Sequence, residues 1–371
     1  MSELAARIER RILAWASDPT VQRRLQRFPL TRPFARRAAR RLFDIVAGFT
    51  YTQTLLAAQR LHLFDAMRHG ARSFAELQTH TGLPADGLRR LLDACTAIEL
   101  TRPRAHDHWA LGDLAFALVA RPEIGAMVEH NALLYDDLRD PVALLRNPAD
   151  TATRLGNYWA YATAGVPAAL RADEVADYSA LMAATQPLVA ADVLDAYDVR
   201  PHRQVLDIGG GEGGFLAAAA ARAPNLALQL FDLPAVVQRA DARLGAAGVR
   251  SRTTVFGGDF QHDPLPTGAD LVTLVRVCFD HPDDRVLRLL QKVHALLPPG
   301  GTLLIGEPMA DVPGAEAVGA AYFGWYLLAM HGGRPRSPAT FATLCRSAGF
   351  RTVEALPAVT PIQTGVVVAR K

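Results

Sequence analysis

A chain of 371 residues exceeds the roughly 250 residues at which single hydrophobic cores stop growing, so two domains are expected. Half of its residues are apolar and 21% are charged, a balance that excludes disordered, collagen-like and low-complexity classes. Cys95, Cys278 and Cys345 lie far apart with no CxxC spacing, so neither a disulfide framework nor a zinc site is expected; no apolar run reaches the ~18 residues of a membrane span, and a cytoplasmic protein is the reading.

The net charge of +3 conceals an asymmetry. Residues 1–41 hold eleven arginines against Glu3, Glu9 and Asp18, and these arginines alternate with Ile8, Ile12, Leu13, Trp15, Leu25, Phe28 and Phe34. That basic amphipathic pattern suits either a helical arm packed on a partner subunit or a peripheral contact with an anionic membrane, here the inner membrane. From 42 to 118 short helices lead to a winged helix: Phe74–Gln78 opens one helix, Gly82–Asp86 makes the turn, Gly87–Cys95 runs in the next, and Leu100–Leu111 forms the wing. Arg89 and Arg90 are the main cations its second helix turns outward, too few to read bases, so dimerisation is expected and nucleic acid is not.

Residues 119–200 read as helical, with breaks at Pro141, Pro148, Pro167 and Pro187 and a run of aromatics including Tyr135, Tyr158, Trp159, Tyr161 and Tyr178: a linker that becomes a pocket wall. From 201 to 371 apolar strands alternate with helices at Gln204–Ile208, Leu226–Asp232, Thr253–Phe256, Asp270–Val277, Gly301–Glu307, Thr352–Leu356 and Thr364–Ala369. Such alternation predicts an α/β fold with a doubly wound sheet.

Within this half, Val205–Phe215 places a glycine loop between a strand and a helix, and Gly209, Gly211 and Gly214 satisfy GxGxxG. That spacing fits a dinucleotide or an adenosyl donor. Asp207 at the strand end suits the ammonium of a methionine moiety and would repel a pyrophosphate, although strand-end capping is the plainer alternative. Asp232 ends the next strand and suits ribose hydroxyls, which both ligands share. Asp259 and Phe260 follow the third strand, an acid for an adenine amino group and a ring for its face, and this pair favours S-adenosylmethionine.

Val205–Phe215, Phe231–Pro234, Gly257–Phe260 and Pro299–Pro308 together resemble the class I O-methyltransferases of the caffeate and hydroxyindole type, over nearly the whole chain. The resemblance implies a homodimer built through an N-terminal winged-helix domain, whose opening helix Gly48–Ala57 and Leu61–Phe64 resemble. It further implies that Leu233, Arg276 and His281 lie on the donor side and that Met182 and Phe279 face a small hydrophobic acceptor, with no metal; the aromatic helix Tyr322–Tyr326 suits an apolar tunnel for that acceptor, or plain core packing.

The family's His-Asp-Trp stretch, whose histidine deprotonates a phenol between two glutamates, reads Phe279-Asp280-His281 here, and Pro335 stands where the second glutamate belongs. Phenylalanine takes no proton, so an intact phenol methyltransferase is disfavoured; alignment and desolvation remain as means of catalysis. Phe279–Asp284 and Leu327–Gly333 are most similar to the purple-bacterial carotenoid O-methyltransferases, which methylate the tertiary hydroxyl of hydroxyneurosporene or demethylspheroidene. Transfer to a bacteriochlorophyllide carbon or to an aromatic polyketide or phenol hydroxyl is the alternative, and a winged-helix regulator is the non-enzymatic one. His331 is the leading polar group beside the acceptor, with Asp280 set to bond the hydroxyl or the loop backbone, and Glu307 set to orient His331 or cap its strand.

Overall fold

The computed structural model describes residues 3–148, 151–158, 176–358 and 364–371, which fold as two compact units, Met1–Pro122 and Glu123–Lys371. Trp159, Tyr161 and Pro167 lie outside the described residues, as do the side chains of Tyr158 and Tyr178.

The first unit opens with α1 (Glu3–Ala16), α2 (Pro19–Arg27) and α3 (Arg32–Arg60). The expected boundary at 41/42 falls inside α3, because nothing from Arg32 to Arg60 breaks the helix, so the arginine-rich arm and the dimerisation segment share one rod. A short α4 (Leu63–Ala66) and strand β1 (Arg72–Ser73) lead into α5 (Phe74–Thr81), which starts in a capping box between Ser73 and Glu76 and ends at Gly82 in the left-handed region, φ +68°. Then follow α6 (Ala85–Ala97) and the antiparallel hairpin of β2 (Thr101–Arg104) and β3 (His108–Leu111), with β1 on the other side of β3. Leu63, Phe64, Leu77, Leu88, Leu92, Trp109 and Leu111 close this small core. Arg89 is tied back to the wing: it pairs with Asp107 at 2.9 Å and its guanidinium lies 4.1 Å from the centre of the Phe74 ring, while Arg90 pairs with Asp86.

The second unit carries a seven-stranded sheet in the order β6-β5-β4-β7-β8-β10-β9. Its strands are β4 (Gln204–Ile208), β5 (Ala227–Asp232), β6 (Thr253–Gly257), β7 (Leu271–Val275), β8 (Thr302–Glu307), β9 (Thr352–Leu356) and β10 (Gly365–Arg370), all parallel except β10, which runs antiparallel to both neighbours. Helices cover both faces, so the central strands are apolar on each side. Val205, Leu228, Leu271 and Val366 pack against helices Ala176–Ala196 and Gly214–Arg222; Leu206, Val272, Leu303 and Val367 pack against Asp283–Leu296 and Pro338–Ser347. The Ala176–Ala196 helix therefore belongs to the core of the sheet, and its Pro187 does not break it: the ring faces solvent while Val189, Ala190 and Val193 bury on the sheet. Pro141 opens a helix rather than ending one, capped by Asp140.

Candidate active site

In a sheet of this order the chain reverses direction between β4 and β7, and ligands collect at the carboxyl ends there. Asp207, fully buried on β4, accepts a 2.6 Å bond from the Thr273 hydroxyl through Oδ1, while Oδ2 has no partner among the described residues. Burial pushes its carboxyl up to about 7, and the nearby charge of Asp232 adds to that. A Cβ on Gly210 would come within 2.4 Å of Oδ2, so only glycine leaves this oxygen reachable.

Gly209 and Gly211 adopt φ of +68° and +61°, turning the loop over the strand end. Asp232 is held there by two backbone donors, Gly211 N and Leu233 N, each at 2.7 Å; burial nonetheless raises it to about 6. Asp259 accepts from Gln261 N at 2.8 Å and lies 2.9 Å from the His262 ring. The Lys292 ammonium fixes the same loop through the carbonyls of Phe260 and Asp263. Phe260 and His281, distant in sequence, meet edge to face at 5.3 Å, and burial lowers His281 to about 4, so its ring is neutral. The structure thus brings Asp207, Gly209, Gly211, Asp232, Leu233, Asp259, Phe260 and His281 to the strand ends. An unpartnered buried carboxylate, an acid gripped at a strand end and an aromatic corner formed by Phe260 and His281 fit a cationic adenosyl amino acid.

Arg276 lies elsewhere in the scheme. It ends β7 at φ +58° and donates to Thr185 Oγ1 and Met182 O, both at 2.7 Å, and to Gln186. Its guanidinium is turned toward the Ala176–Ala196 helix, where it fixes the backbone of Met182 beside β7.

On the other side, Glu307 ends β8 fully buried. Its Oε2 accepts from Cys278 N at 2.9 Å, Oε1 has no partner among the described residues, and burial raises it to about 8. Its bond goes to the 278–280 turn, which favours the strand-end alternative over orienting His331. Asp280 is held well above the usual carboxylate range by burial and by Glu307, and its Oδ1 is likewise unpartnered. The turn is clamped by Arg336, 1% exposed, whose guanidinium donates to Cys278 O, His281 O and Asp283. Phe279, 4% exposed, sits among Leu134, Leu155, Tyr326 and Met330.

The aromatic helix opens with a π-helical stretch, Ala317–Phe323, and continues as Gly324–Ala329. Tyr322 donates to Asn131 at 2.7 Å, and the Tyr326 hydroxyl lies 2.8 Å from His130, which burial lowers to about 4. His331 follows the helix at φ +60°, its Nε2 2.8 Å from the Thr153 hydroxyl. Thr153, His130, Asn131, Thr273, Gln186 and Arg336 carry no sequence signal of their own; each acts through a partner remote in the chain.

Residues 135–351 match the O-methyltransferase domain model and residues 43–121 the O-methyltransferase dimerisation domain, which supports a homodimer. The chain is 39% identical to demethylspheroidene O-methyltransferase of Cereibacter sphaeroides over 93% of its length and 90% of the relative's. Identity to the Rhodobacter capsulatus enzyme of the same name is also 39%, over 93% and 86%. Human N-acetylserotonin methyltransferase, solved in complex with SAM, superposes with a TM-score of 0.68 at 26% identity, over 90% of this chain and 97% of that one. With the domain matched over its catalytic unit and the strand-end carboxylates in place, the chain belongs to the S-adenosylmethionine-dependent O-methyltransferases and is an enzyme of that family.

Proposed function

We propose that the enzyme methylates the tertiary hydroxyl of a carotenoid of the hydroxyneurosporene or demethylspheroidene type. The observation that carries this is the 39% identity over 93% of the chain to two proteins named for that reaction. The acceptor side supports it: a buried phenylalanine at the position where the family pattern has its phenol-deprotonating histidine, in an aromatic cluster with Tyr322 and Tyr326, suits a long apolar substrate.

S-adenosylmethionine supplies an electrophilic methyl on a sulfonium when bound. In our reading Asp207 takes its ammonium, Asp232 and Leu233 the ribose hydroxyls, Asp259 the adenine amino group, and Phe260 and His281 the adenine ring, with the backbone of Gly209 and Gly211 alongside. Arg276 acts by holding Met182 and Gln186 toward the site. Met182, Phe279, Tyr322 and Tyr326 exclude water around the acceptor, and Asp280 and Glu307 shape the turn between the two ligands.

The basic arm fits the same reading. Leu4, Ile8, Ile12, Leu13 and Trp15 of α1 are all more than half exposed beside Arg7, Arg10 and Arg11, a surface suited to anionic lipid in which such a substrate dissolves. No described helix is long and apolar enough to cross a membrane. Flotation with anionic liposomes, with and without residues 1–41, tests the arm; equal recovery removes it.

The acceptor is tested by incubating the purified protein and labelled donor with a hydroxylated carotenoid, bacteriochlorophyllide and simple catechols, then locating the label by mass spectrometry. We expect it on the tertiary oxygen of the carotenoid. Label confined to catechol or chlorin would overturn the assignment.

A further inference from the structure

Thr153 has one hydroxyl hydrogen and two lone pairs, and the structure accounts for all three. The oxygen lies 2.6 Å from Ala329 O, receives Gly156 N at 3.1 Å, and lies 2.8 Å from His331 Nε2. A 2.6 Å contact between a hydroxyl and a carbonyl requires the hydrogen to lie between them, since two facing lone pairs would repel. Ala329 is the last residue of its helix, where carbonyls have no partner within the helix, so the hydroxyl meets a standing need. With its hydrogen spent on Ala329, Thr153 accepts from both remaining neighbours. His331 therefore carries its proton on Nε2, and Nδ1 presents a lone pair that is buried and has no partner among the described residues.

His331 immediately precedes the segment packed on the turn where the family pattern has its base. The two residues after His331 press against the turn: Cβ atoms on Gly332 and Gly333 would meet Asp280 O at 2.9 Å and Phe279 O at 1.7 Å, and Arg334 N donates to Phe279 O at 2.9 Å. His331 and Arg276 are both non-glycine residues held in the left-handed region at this site, a conformation that persists where surrounding contacts enforce it. A Cβ on Gly156 would come within 2.4 Å of the His331 ring, so the imidazole is also confined from the Thr153 side.

We infer that His331 Nδ1 is the acceptor of the substrate hydroxyl proton, and that Thr153 is the positioning residue that fixes its tautomer. This rests on the O-methyltransferase reading, with any hydroxyl acceptor. As the hydroxyl oxygen forms its bond to the methyl carbon, the carbon–sulfur bond breaks with its electron pair staying on sulfur, and the O–H proton passes to Nδ1. The sulfonium charge thereby reappears on the imidazolium, which returns the proton to water.

The test uses the full-length protein labelled with ¹⁵N-histidine and loaded with donor, the His331 signal being assigned by its loss in His331→Gln. An imine-type shift for Nδ1 and a pyrrole-type shift for Nε2 are expected, with Thr153→Val producing a mixture and Thr153→Ser restoring the single tautomer. A protonated Nδ1 in the loaded wild type overturns the inference whatever the acceptor proves to be. In turnover, His331→Gln and His331→Asn should each lower kcat about 100-fold with the donor Kd unchanged. Either of them turning over within threefold of wild type overturns it as well. A wild type that labels catechol and no carotenoid sinks the substrate assignment alone, and the same variants are then measured on catechol.

Discussion

The donor and acceptor sides of the catalytic unit are built by different means. On the donor side, Asp207, Asp232 and Asp259 stand at the ends of three neighbouring strands, and backbone N–H groups from the same loops hold the last two. On the acceptor side nearly every polar group is fixed by a side chain from far along the sequence: Tyr326 by His130, Tyr322 by Asn131, His331 by Thr153, and the 278–283 turn by Arg336. The first arrangement survives sequence drift because the fold itself supplies the partners. The second can be rebuilt by exchanging a few side chains, and here phenylalanine and proline stand where a base and its glutamate are expected.

The contrast predicts that the acceptor side breaks at its remote tethers. Arg336→Met leaves Asp283 without its buried partner and two carbonyls of the turn without donors. Asp283 is 38% exposed and keeps Arg334, so the cost lies in the two carbonyls, about 1–3 kcal/mol for each buried acceptor left unpaired. A urea midpoint lowered accordingly is the expected result, and a midpoint equal to wild type would show the turn to be held by something else. On the donor side the loss is in affinity: Asp232→Ala removes the group assigned to the ribose and should weaken donor binding by about 100-fold or more, equivalent to ~2.7 kcal/mol. Calorimetry showing normal binding would sink that assignment.

A smaller effect separates the two sides by pH. Asp207 is raised from 3.8 to about 7 by burial, so the donor-free protein gains from its protonated form. That stabilisation is complete below about pH 4 and is lost as pH rises through 7. A cationic ligand needs the ionised form, so binding should strengthen with pH, by about fivefold between pH 6 and 7, and the thermal shift on adding donor should widen. Asp207→Asn should abolish this carboxylate's contribution to the pH dependence; unchanged pH dependence in that variant would detach Asp207 from the donor.

The same contrast explains what could be read from the chain. All seven strands of the large sheet fall within two residues of their expected limits: the central strands because apolar runs buried on both faces carry their own signal, the partly exposed edge strands β6 and β9 because β-branched residues alternate with helices there. The glycine loop and its three acids were legible because each lies next to the strand that positions it. The arm boundary agrees with the start of the dimerisation-domain match at residue 43, yet a change in charge is not a change in backbone, and α3 runs through it. Thr153 and His331 are 178 residues apart and His130 and Tyr326 are 196 apart, so no local pattern announces either pair. Pro187 shows the reverse error, a strong local signal overridden by burial of the helix on the sheet.

The smallest expected effect on turnover comes from returning the missing base. In Phe279→His the new imidazole would enter the cluster of Leu134, Leu155, Tyr326 and Met330 and lose the burial of a phenyl ring, worth about 2 kcal/mol. It would find no pair of carboxylates to orient it. Pro335 offers none, which leaves Glu307 alone, through Oε1, since Oε2 is bound to Cys278 N. The variant should therefore be less stable than wild type while its kcat on the true acceptor changes by less than about threefold, a small effect beside the 10²–10⁴ that an aligned base contributes. A tenfold gain on a catechol would mean that the acceptor side still holds the geometry of a phenol methyltransferase and lacks only the one ring. No gain, with His331→Gln impaired, would mean that the base has moved to the other side of the turn.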